Sequence, residues 1–234
     1  MSVERKLSRL ELYKAFDLFS DNASRWFTEF AKQDARHEFH SNEYSFYILR
    51  GGSAGGADSR ILEVCYGNRP FDATVELRYS AHARDGKIPG SRRHVLTERG
   101  PALIYSRLDN GGVSCVLYPA GSDGFRRLED SILLRIYQDA RDLTGPAALR
   151  QDWLCFASYR EFSSLDGQPT FLDWCRVQWL LFTRRTTVGG VLKERRVFVL
   201  GGRIVEYALT VALSGAVFVK LLEVFGVLPS GAAS

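Results

Sequence analysis

The sequence predicts an α+β fold, with an antiparallel sheet of five or six strands flanked by helices and a C-terminal hydrophobic helix. Three observations support this prediction. Apolar residues have helical spacing in the first 34 residues and again from about residue 122 to 183. From about residue 44 to 119 they alternate with polar residues, as in half-buried strands. The segment 208–228, ALTVALSGAVFVKLLEVFGVL, is almost wholly apolar.

Composition limits the classes of protein to consider. The chain has 234 residues, of which 45% are hydrophobic and 25% charged, so it is globular rather than disordered. Its net charge of +4 is too small to indicate nucleic-acid binding by itself. Four cysteines without C-x-x-C spacing argue against a zinc or redox site and predict reduced thiols in an intracellular protein. They are Cys65, Cys115, Cys155 and Cys175.

The first predicted element is a helical N-terminal region. Leu12, Phe16 and Phe19 recur at i, i+4 and i+7, and helical spacing continues after Asp21-Asn22, which is typical of a helix cap. We therefore expect two short amphipathic helices, or one helix with a break at this dipeptide. The aromatic stripe is expected to cover the sheet, and binding to a membrane surface is the alternative.

Residues 44–119 carry the signals of an antiparallel sheet. YSFYILR and RILEVCYG flank a glycine-rich loop, and ATVELRYSAH alternates between apolar and polar residues. ALIYSRL and VSCVLYP are separated by DNGG, whose Asn and Gly tolerate the positive φ of a hairpin turn. These segments predict the five or six strands.

Helical patterns return after the sheet. In SDGFRRLEDSILLRIYQDARDL, Leu128, Ile132 and Ile136 recur at i, i+4 and i+8, which predicts a helix. The next helix is expected to start with Thr144 as its cap and Pro146 in its first turn. PTFLDWCRVQWLLFTRR predicts the last helix before a basic stretch with paired glycines.

These elements divide the chain into four parts. Residues 1–183 are predicted to form a cytosolic α+β domain, and residues 184–203 a basic juxtamembrane connector. Residues 204–228 are expected to form a hydrophobic helix that crosses a membrane once. Residues 229–234 are a short uncharged tail.

The segment 208–228 is long enough to cross a bilayer, because 21 helical residues rise about 31 Å. Its apolar residues lie on every side of the helix, as buried or membrane helices require. Six basic residues lie between 184 and 203 and none follows residue 228, which places the N-terminal domain in the cytoplasm. Lys220 brings the insertion free energy close to zero, so a buried helix of a soluble domain or homo-oligomer is the alternative.

Five residues of this segment are candidates for helix association. Alanines at every fourth position form a small-xxx-small row, which lets membrane helices approach closely. A lysine and a glutamate three residues apart can pair, and ionisable groups at that depth usually face a partner helix or a water-filled lumen. The candidates are Ala208, Ala212, Ala216, Lys220 and Glu223. Membrane lipid and further copies of the chain are the predicted partners, and the helix would serve as a plain anchor or line a pore.

Paired arginines predict a binding site for an anion. Arg184-Arg185 and Arg195-Arg196 precede the hydrophobic segment, where membrane orientation and anionic lipid explain them. The candidate binding residues are the other two pairs, Arg92-Arg93 and Arg126-Arg127. Folding would gather them into a site for a nucleotide, a nucleic acid or a lipid head group.

No motif in the sequence defines an active site. The loop GGSAGGADS is rich in glycine but lacks the G-K-[ST] of a phosphate-binding loop. In DARHEFH, Asp34, His37 and His40 have no third histidine at metal spacing, so polar residues at a helix end are the simpler interpretation. We predict no catalytic residue, no metal and no cofactor.

The sequence thus favours a non-enzymatic, tail-anchored membrane protein that senses or binds a ligand with its cytosolic domain. It would self-associate through its last helix and act as an effector that perturbs or perforates the membrane. The alternative is a soluble, homo-oligomeric protein that binds nucleotides or nucleic acid and uses its last helix as an interface. An enzyme whose site is assembled from distant residues is the third hypothesis.

Overall fold

The computed structural model describes residues 2–52, 60–77, 91–122, 124–143 and 145–195. These residues form an α+β fold with a large antiparallel sheet, which confirms the predicted class. The helices in the described residues are α1 (Ser2–Gln33), α2 (His37–Glu43), α3 (Pro146–Ser163) and α4 (Phe171–Thr183).

The strands of the described residues form two sheets. In chain order they are β1 (Phe46–Arg50), β2 (Ile61–Tyr66), β3 (Asn68–Leu77), β4 (Ser91–Arg99), β5 (Ala102–Arg107), β6 (Val113–Tyr118), β7 (Gly121–Ser122), β8 (Ser131–Tyr137), β9 (Arg185–Val188) and β10 (Val191–Lys193). The larger sheet has seven strands in the order β1-β2-β5-β6-β8-β9-β10, and the smaller has the order β3-β4-β7. Neighbouring strands are antiparallel throughout.

The hairpin that the sequence predicts at DNGG is present in the structure. β5 and β6 pair across the DNGG turn, where Gly111 has a φ of 90° and the side-chain oxygen of Asn110 accepts the Gly112 N–H at 3.0 Å. β1 and β2 pair on either side of the glycine-rich loop. Six strands therefore lie between residues 44 and 119, but β3 and β4 belong to the smaller sheet.

The predicted helix around Leu128, Ile132 and Ile136 is wrong. This region contains strands and a loop: β7 pairs with β4, β8 pairs with β6 and β9, and Ala140–Leu143 forms a short 3₁₀ turn. The helical spacing is a coincidence, because Leu128 and Ile136 are exposed whereas Ile132 is buried. Pairing with neighbouring strands outweighs the local pattern in this segment rich in Ile and Leu.

α1 is one continuous helix, so the predicted break at Asp21-Asn22 is wrong. Neither side chain caps a helix end. Asp21 pairs with Arg50 at the exposed surface, and Asn22 Nδ2 donates to the carbonyl of Leu18 at 2.8 Å. The apolar spacing keeps the same buried face on both sides of the dipeptide, so a continuous helix covers the core along its whole stripe.

The aromatic stripe of α1 covers the larger sheet, as predicted. Phe19 packs edge-on against Tyr105 of β5 with ring centroids 5.2 Å apart, and Phe27 lies 6.2 Å from Trp153 of α3. These side chains belong to one hydrophobic cluster, which joins α1, α3 and α4 to one face of the sheet.

Local sequence sets the starts of the last two helices. The N-cap of α3 is Gly145, so the predicted cap Thr144 is wrong by one residue, whereas Pro146 occupies the first turn, as predicted. α4 begins with a capping box, in which the Asp173 N–H donates to Thr170 Oγ1 at 3.3 Å and the Thr170 N–H donates to Asp173 Oδ2 at 3.0 Å.

The sheet extends into the stretch that the sequence predicts to be a connector. β9 follows α4 almost directly and pairs with β8, and Gly189 and Gly190 at positive φ form the tight turn to β10. The hydrophobic segment 208–228 lies outside the described residues. Among the helices of the described ranges, none has the length and hydropathy to cross a membrane.

The contact between α1 and the sheet yields a stability prediction. Phe27→Ala removes a fully buried ring and is expected to lower the free energy of unfolding by about 3–5 kcal/mol. Leu18→Ala, on the exposed side of the same helix, should change it by less than about 0.5 kcal/mol. Urea unfolding monitored by circular dichroism measures both. Equal effects would contradict the described docking of α1.

Candidate functional site

The structure places the two candidate arginine pairs in different elements. Arg92 and Arg93 lie on β4, opposite β3, and the structure describes their backbone alone. Arg126 and Arg127 lie in the loop between β7 and β8. Of the two pairs, Arg126-Arg127 is therefore the one whose side-chain surroundings the structure describes.

A cleft between the two sheets lies beside Arg126 and Arg127. Its volume is about 420 Å³, and its walls come from β3, β4, the end of β6, β7 and the loop to β8. The fold brings Arg99 of β4 to the same cleft, so three arginines line it. The other lining residues are Asn68, Thr97, Tyr118, Pro119, Ala120, Gly121, Ser122, Glu129 and Asp130. We call this feature the intersheet cleft.

Arg127 is fixed at the cleft by two contacts. Its Nε lies 3.3 Å from Glu129 Oε1, and its guanidinium lies 4.1 Å from the ring centroid of Phe162. Glu129 is buried and also accepts the Tyr159 hydroxyl at 3.1 Å. Burial and the Glu129 charge hold the pKa of Tyr159 well above its ordinary value. The Glu129 carboxylate therefore contacts Arg127 and Tyr159 of the protein itself.

The cleft is lined by three arginines and two carboxylates, so its formal charge is +1. Its second carboxylate, Asp130, accepts the Gly190 N–H at 2.9 Å and so joins the loop to the β9–β10 turn. Arg99 and Arg126 are exposed at the cleft. Guanidinium groups at a concave surface attract phosphate and carboxylate groups and can bind them through two parallel hydrogen bonds.

A second polar cluster is buried under α3 and centres on Arg160, which is fully buried. Its guanidinium donates to Glu161 Oε1 at 2.7 Å, to Tyr66 Oη at 2.7 Å and to Asp34 Oδ2 at 2.9 Å. A charge buried this completely is tolerated because anionic and hydroxyl acceptors surround it. We call Arg160 and its partners the α3 network.

Both histidines of DARHEFH belong to this network. His40 Nε2 lies 2.8 Å from Glu161 Oε1, and His37 Nδ1 lies 2.8 Å from Tyr66 Oη. Burial alone would raise the pKa of Glu161, but hydrogen bonds from His40 and Arg160 lower it to about 2. Burial and the Arg160 charge lower the pKa of His37. Ionised Glu161 and neutral His37 therefore suit the folded state.

Asp173 connects α4 to the same region. Its carboxylate accepts hydrogen bonds from Arg36 Nη1 at 2.7 Å, from Ser158 Oγ at 2.7 Å and from the Thr170 hydroxyl at 2.7 Å. Burial opposes ionisation, but these donors outweigh it and hold the pKa of Asp173 well below its usual range. The first turn of α4 is thus fixed to α3 and to the α1–α2 turn.

The sequence alone does not reveal the α3 network, because its partners are far apart in the chain. His37 and Tyr66 are separated by 29 residues, and His40 and Glu161 by 121. The one local signal is the adjacent Arg160-Glu161 pair inside an otherwise apolar helical pattern. Among the side chains that the structure describes, no group of three or more His, Cys, Asp or Glu could hold a metal ion.

Comparison with family models, with curated proteins and with solved structures finds no match to this chain. The function is therefore inferred from the arrangement of its own residues.

The α3 network predicts acid sensitivity. Because folding lowers the pKa of Glu161 from about 4.5 to about 2, its stabilising effect is complete above pH 4.5 and is lost as the pH falls toward 2. The lowered pKa of His37 adds an earlier loss below about pH 6.5. Urea unfolding at successive pH values measures the free energy of unfolding.

Two variants identify the group responsible. Glu161→Gln should reduce the loss of stability between pH 4.5 and 2, with Asp173 responsible for part of the remainder, whereas Glu29→Gln on the exposed side of α1 should leave it unchanged. The same pH dependence in Glu161→Gln and in the unmodified chain would contradict the assigned role of Glu161.

Proposed function

We propose that this chain is a sensing or interaction protein that binds an anionic ligand in the intersheet cleft and is held at a membrane by segment 208–228. One observation carries the proposal: Arg99 of β4 and the adjacent Arg126 and Arg127 of the β7–β8 loop line a single cleft. The ladder between β4 and β7 brings Arg99 to the same cavity as this pair, so three arginines line the space that one ligand would occupy.

The chemistry of the cleft suits a nucleotide. Arg99 and Arg126 provide exposed guanidinium donors for phosphate oxygens. Tyr118 at the end of β6 adds an aromatic surface on which a base can stack. The volume of about 420 Å³ lies within the range of about 300–1,000 Å³ that small-molecule sites occupy. Recognition, and not catalysis, is the role that these groups support.

The proposed location depends on the sequence of segment 208–228. The segment has the length of a bilayer span, and basic residues precede it without following it. The domain would face the cytoplasm, with the helix anchoring it and associating with further copies. The candidates for that association remain Ala208, Ala212, Ala216, Lys220 and Glu223.

Ligand binding can be tested by calorimetric titration with ATP and with a poly-thymidine oligonucleotide. Arg99→Glu with Arg126→Glu is expected to weaken binding by at least about tenfold, because each charge-assisted hydrogen bond contributes about 1.5–3 kcal/mol. Arg25→Glu, at an exposed site on α1, is the matched control and should have no effect. Unchanged affinity in the double variant, or no binding of either probe, would refute the cleft as an anion site.

Cell fractionation tests the membrane part of the proposal. The full chain should resist carbonate extraction, whereas a chain without residues 204–234 should be soluble. Lys220→Leu with Glu223→Leu should stay in the membrane but change the oligomer size found by crosslinking. A soluble full chain would favour the soluble homo-oligomer that binds nucleotides or nucleic acid. Unchanged assembly in the leucine variant would exclude a role for the pair.

A further inference from the structure

α4 has an apolar surface on the side that faces away from the core. Its inner side is made by Asp173, Val177, Leu180 and Leu181, which are buried. Large apolar side chains nevertheless continue around the helix. Phe171 is 76% exposed, Leu172 73%, Trp179 66% and Trp174 49%. We call these four residues the α4 apolar face.

This surface differs from the scattered apolar residues that any protein exposes. Phe171 and Trp174 stack with ring centroids 6.3 Å apart, although both are exposed to solvent. Phe171, Leu172 and Trp179 lie within about 100° of one another around the helix axis. A helix that is apolar on its inner and outer sides contacts the core with one side and a second partner with the other.

An arginine-lined cleft adjoins this face. Its volume is about 220 Å³, and Arg36, Arg150 and Arg176 line it together with Ser158 and the exposed Leu154. Arg176 connects the two features because it lies four residues after Leu172 and three before Trp179, on the same side of the helix.

The arginines of this cleft are held in position. Arg176 Nη1 donates to Ser158 Oγ at 2.6 Å, and Arg36 Nη1 donates to Asp173 at 2.7 Å. Arg150 is exposed on α3. The carboxylate that lines the cleft, Asp34, is paired with the buried Arg160 at 2.9 Å. Because Asp173 compensates the charge of Arg36, the exposed Arg150 and the partly exposed Arg176 supply the positive charge of the cleft beside the aromatic surface.

We infer that the α4 apolar face and this cleft dock on a bilayer that contains anionic phospholipid, with a head-group phosphate in the cleft. Tryptophan beside arginine is the combination that occupies the boundary between acyl chains and head groups. Basic residues near such a surface each contribute about 1 kcal/mol of attraction to anionic lipid.

The number of residues between the domain and segment 208–228 is compatible with contact between α4 and a bilayer. The described residues end at Arg195, and residues 196–207 separate it from the hydrophobic segment. Twelve residues span at most about 40 Å, so a membrane helix at 208–228 would keep the domain within reach of the head groups. The inference rests on the membrane location given in the proposed function. It adds the identity of the surface through which the domain contacts the lipid.

Tryptophan fluorescence provides a direct test, because segment 208–228 contains no tryptophan. Of the four tryptophans, Trp26 and Trp153 are buried, whereas Trp174 and Trp179 belong to the α4 apolar face. The full chain is reconstituted in nanodiscs of phosphatidylcholine with or without phosphatidylserine, and a fraction of the lipid carries a bromine quencher near its head group. We expect quenching that is several-fold stronger with phosphatidylserine and is reduced by high salt.

Variants identify the docking residues. Phe171→Ser with Leu172→Ser keeps both reporter tryptophans and should lower the ratio of docked to undocked domain by about tenfold. Leu10→Ser with Leu18→Ser, two exposed leucines of α1, is the matched control and should change nothing. Arg150→Glu should remove the preference for phosphatidylserine, whereas Arg25→Glu should keep it. Trp174→Phe with Trp179→Phe should abolish the quenching.

The outcomes separate this inference from the proposed function. A chain that enters nanodiscs without tryptophan quenching would overturn the docking surface and leave the anchor intact. A chain that does not insert, but floats with anionic vesicles through Phe171 and Leu172, would support the surface and refute the anchor. Loss of a dimer in Phe171→Ser with Leu172→Ser, without quenching in the unmodified chain, would assign the face to self-association and overturn the inference.

Discussion

Charge buried along α3 is the constraint on which the rest of this structure depends. Asp152 and Arg160 lie about 12 Å apart on the helix, and both are fully buried. Asp152 accepts hydroxyl hydrogen bonds from Tyr105 of β5 at 2.9 Å and Tyr137 of β8 at 2.6 Å, while Arg160 donates to Tyr66 of β2. Removing one partner of such a group costs several kcal/mol, because the other is left uncompensated. These hydrogen bonds therefore fix how β2, β5 and β8 are positioned against α3. The hydrophobic cluster packs around the contacts between α3 and these strands.

The smaller sheet is positioned by the same device, and the intersheet cleft is its consequence. Glu98 of β4 is fully buried and accepts the Tyr44 hydroxyl at 2.6 Å, the Arg69 guanidinium at 2.9 Å and the Leu165 N–H at 2.8 Å. These contacts join β4 to β3, to the end of α2 and to the segment between α3 and α4. Arg99 follows Glu98 directly, so the buried ion pair between Glu98 and Arg69 also fixes the position of Arg99 at the cleft. The position of Arg99 at the surface is thus fixed by the buried charge of Glu98.

Features that depend on adjacent residues could be predicted from the sequence, and features that depend on distant residues could not. The turn at Gly111 and the stripe of α1 are local and were predicted correctly. The helical spacing of Leu128, Ile132 and Ile136 predicts a helix, but pairing with β6, which lies outside that segment, makes Ser131–Tyr137 a strand. The pair Arg126-Arg127 is visible in the sequence, but Arg99 joins it through the ladder between β4 and β7. The sequence pattern of α4 does not separate an inner from an outer apolar side, so it does not predict the α4 apolar face.

The last strand of the larger sheet has a consequence for how copies of this chain can meet. Within the described residues β10 is an edge strand with three residues, all exposed, and it carries Lys193. An edge strand this short that carries a lysine offers few amide groups to a neighbouring molecule and disfavours the addition of a further strand at this border. Contact between two molecules at this border would therefore use side chains and not a continuous ladder of backbone hydrogen bonds.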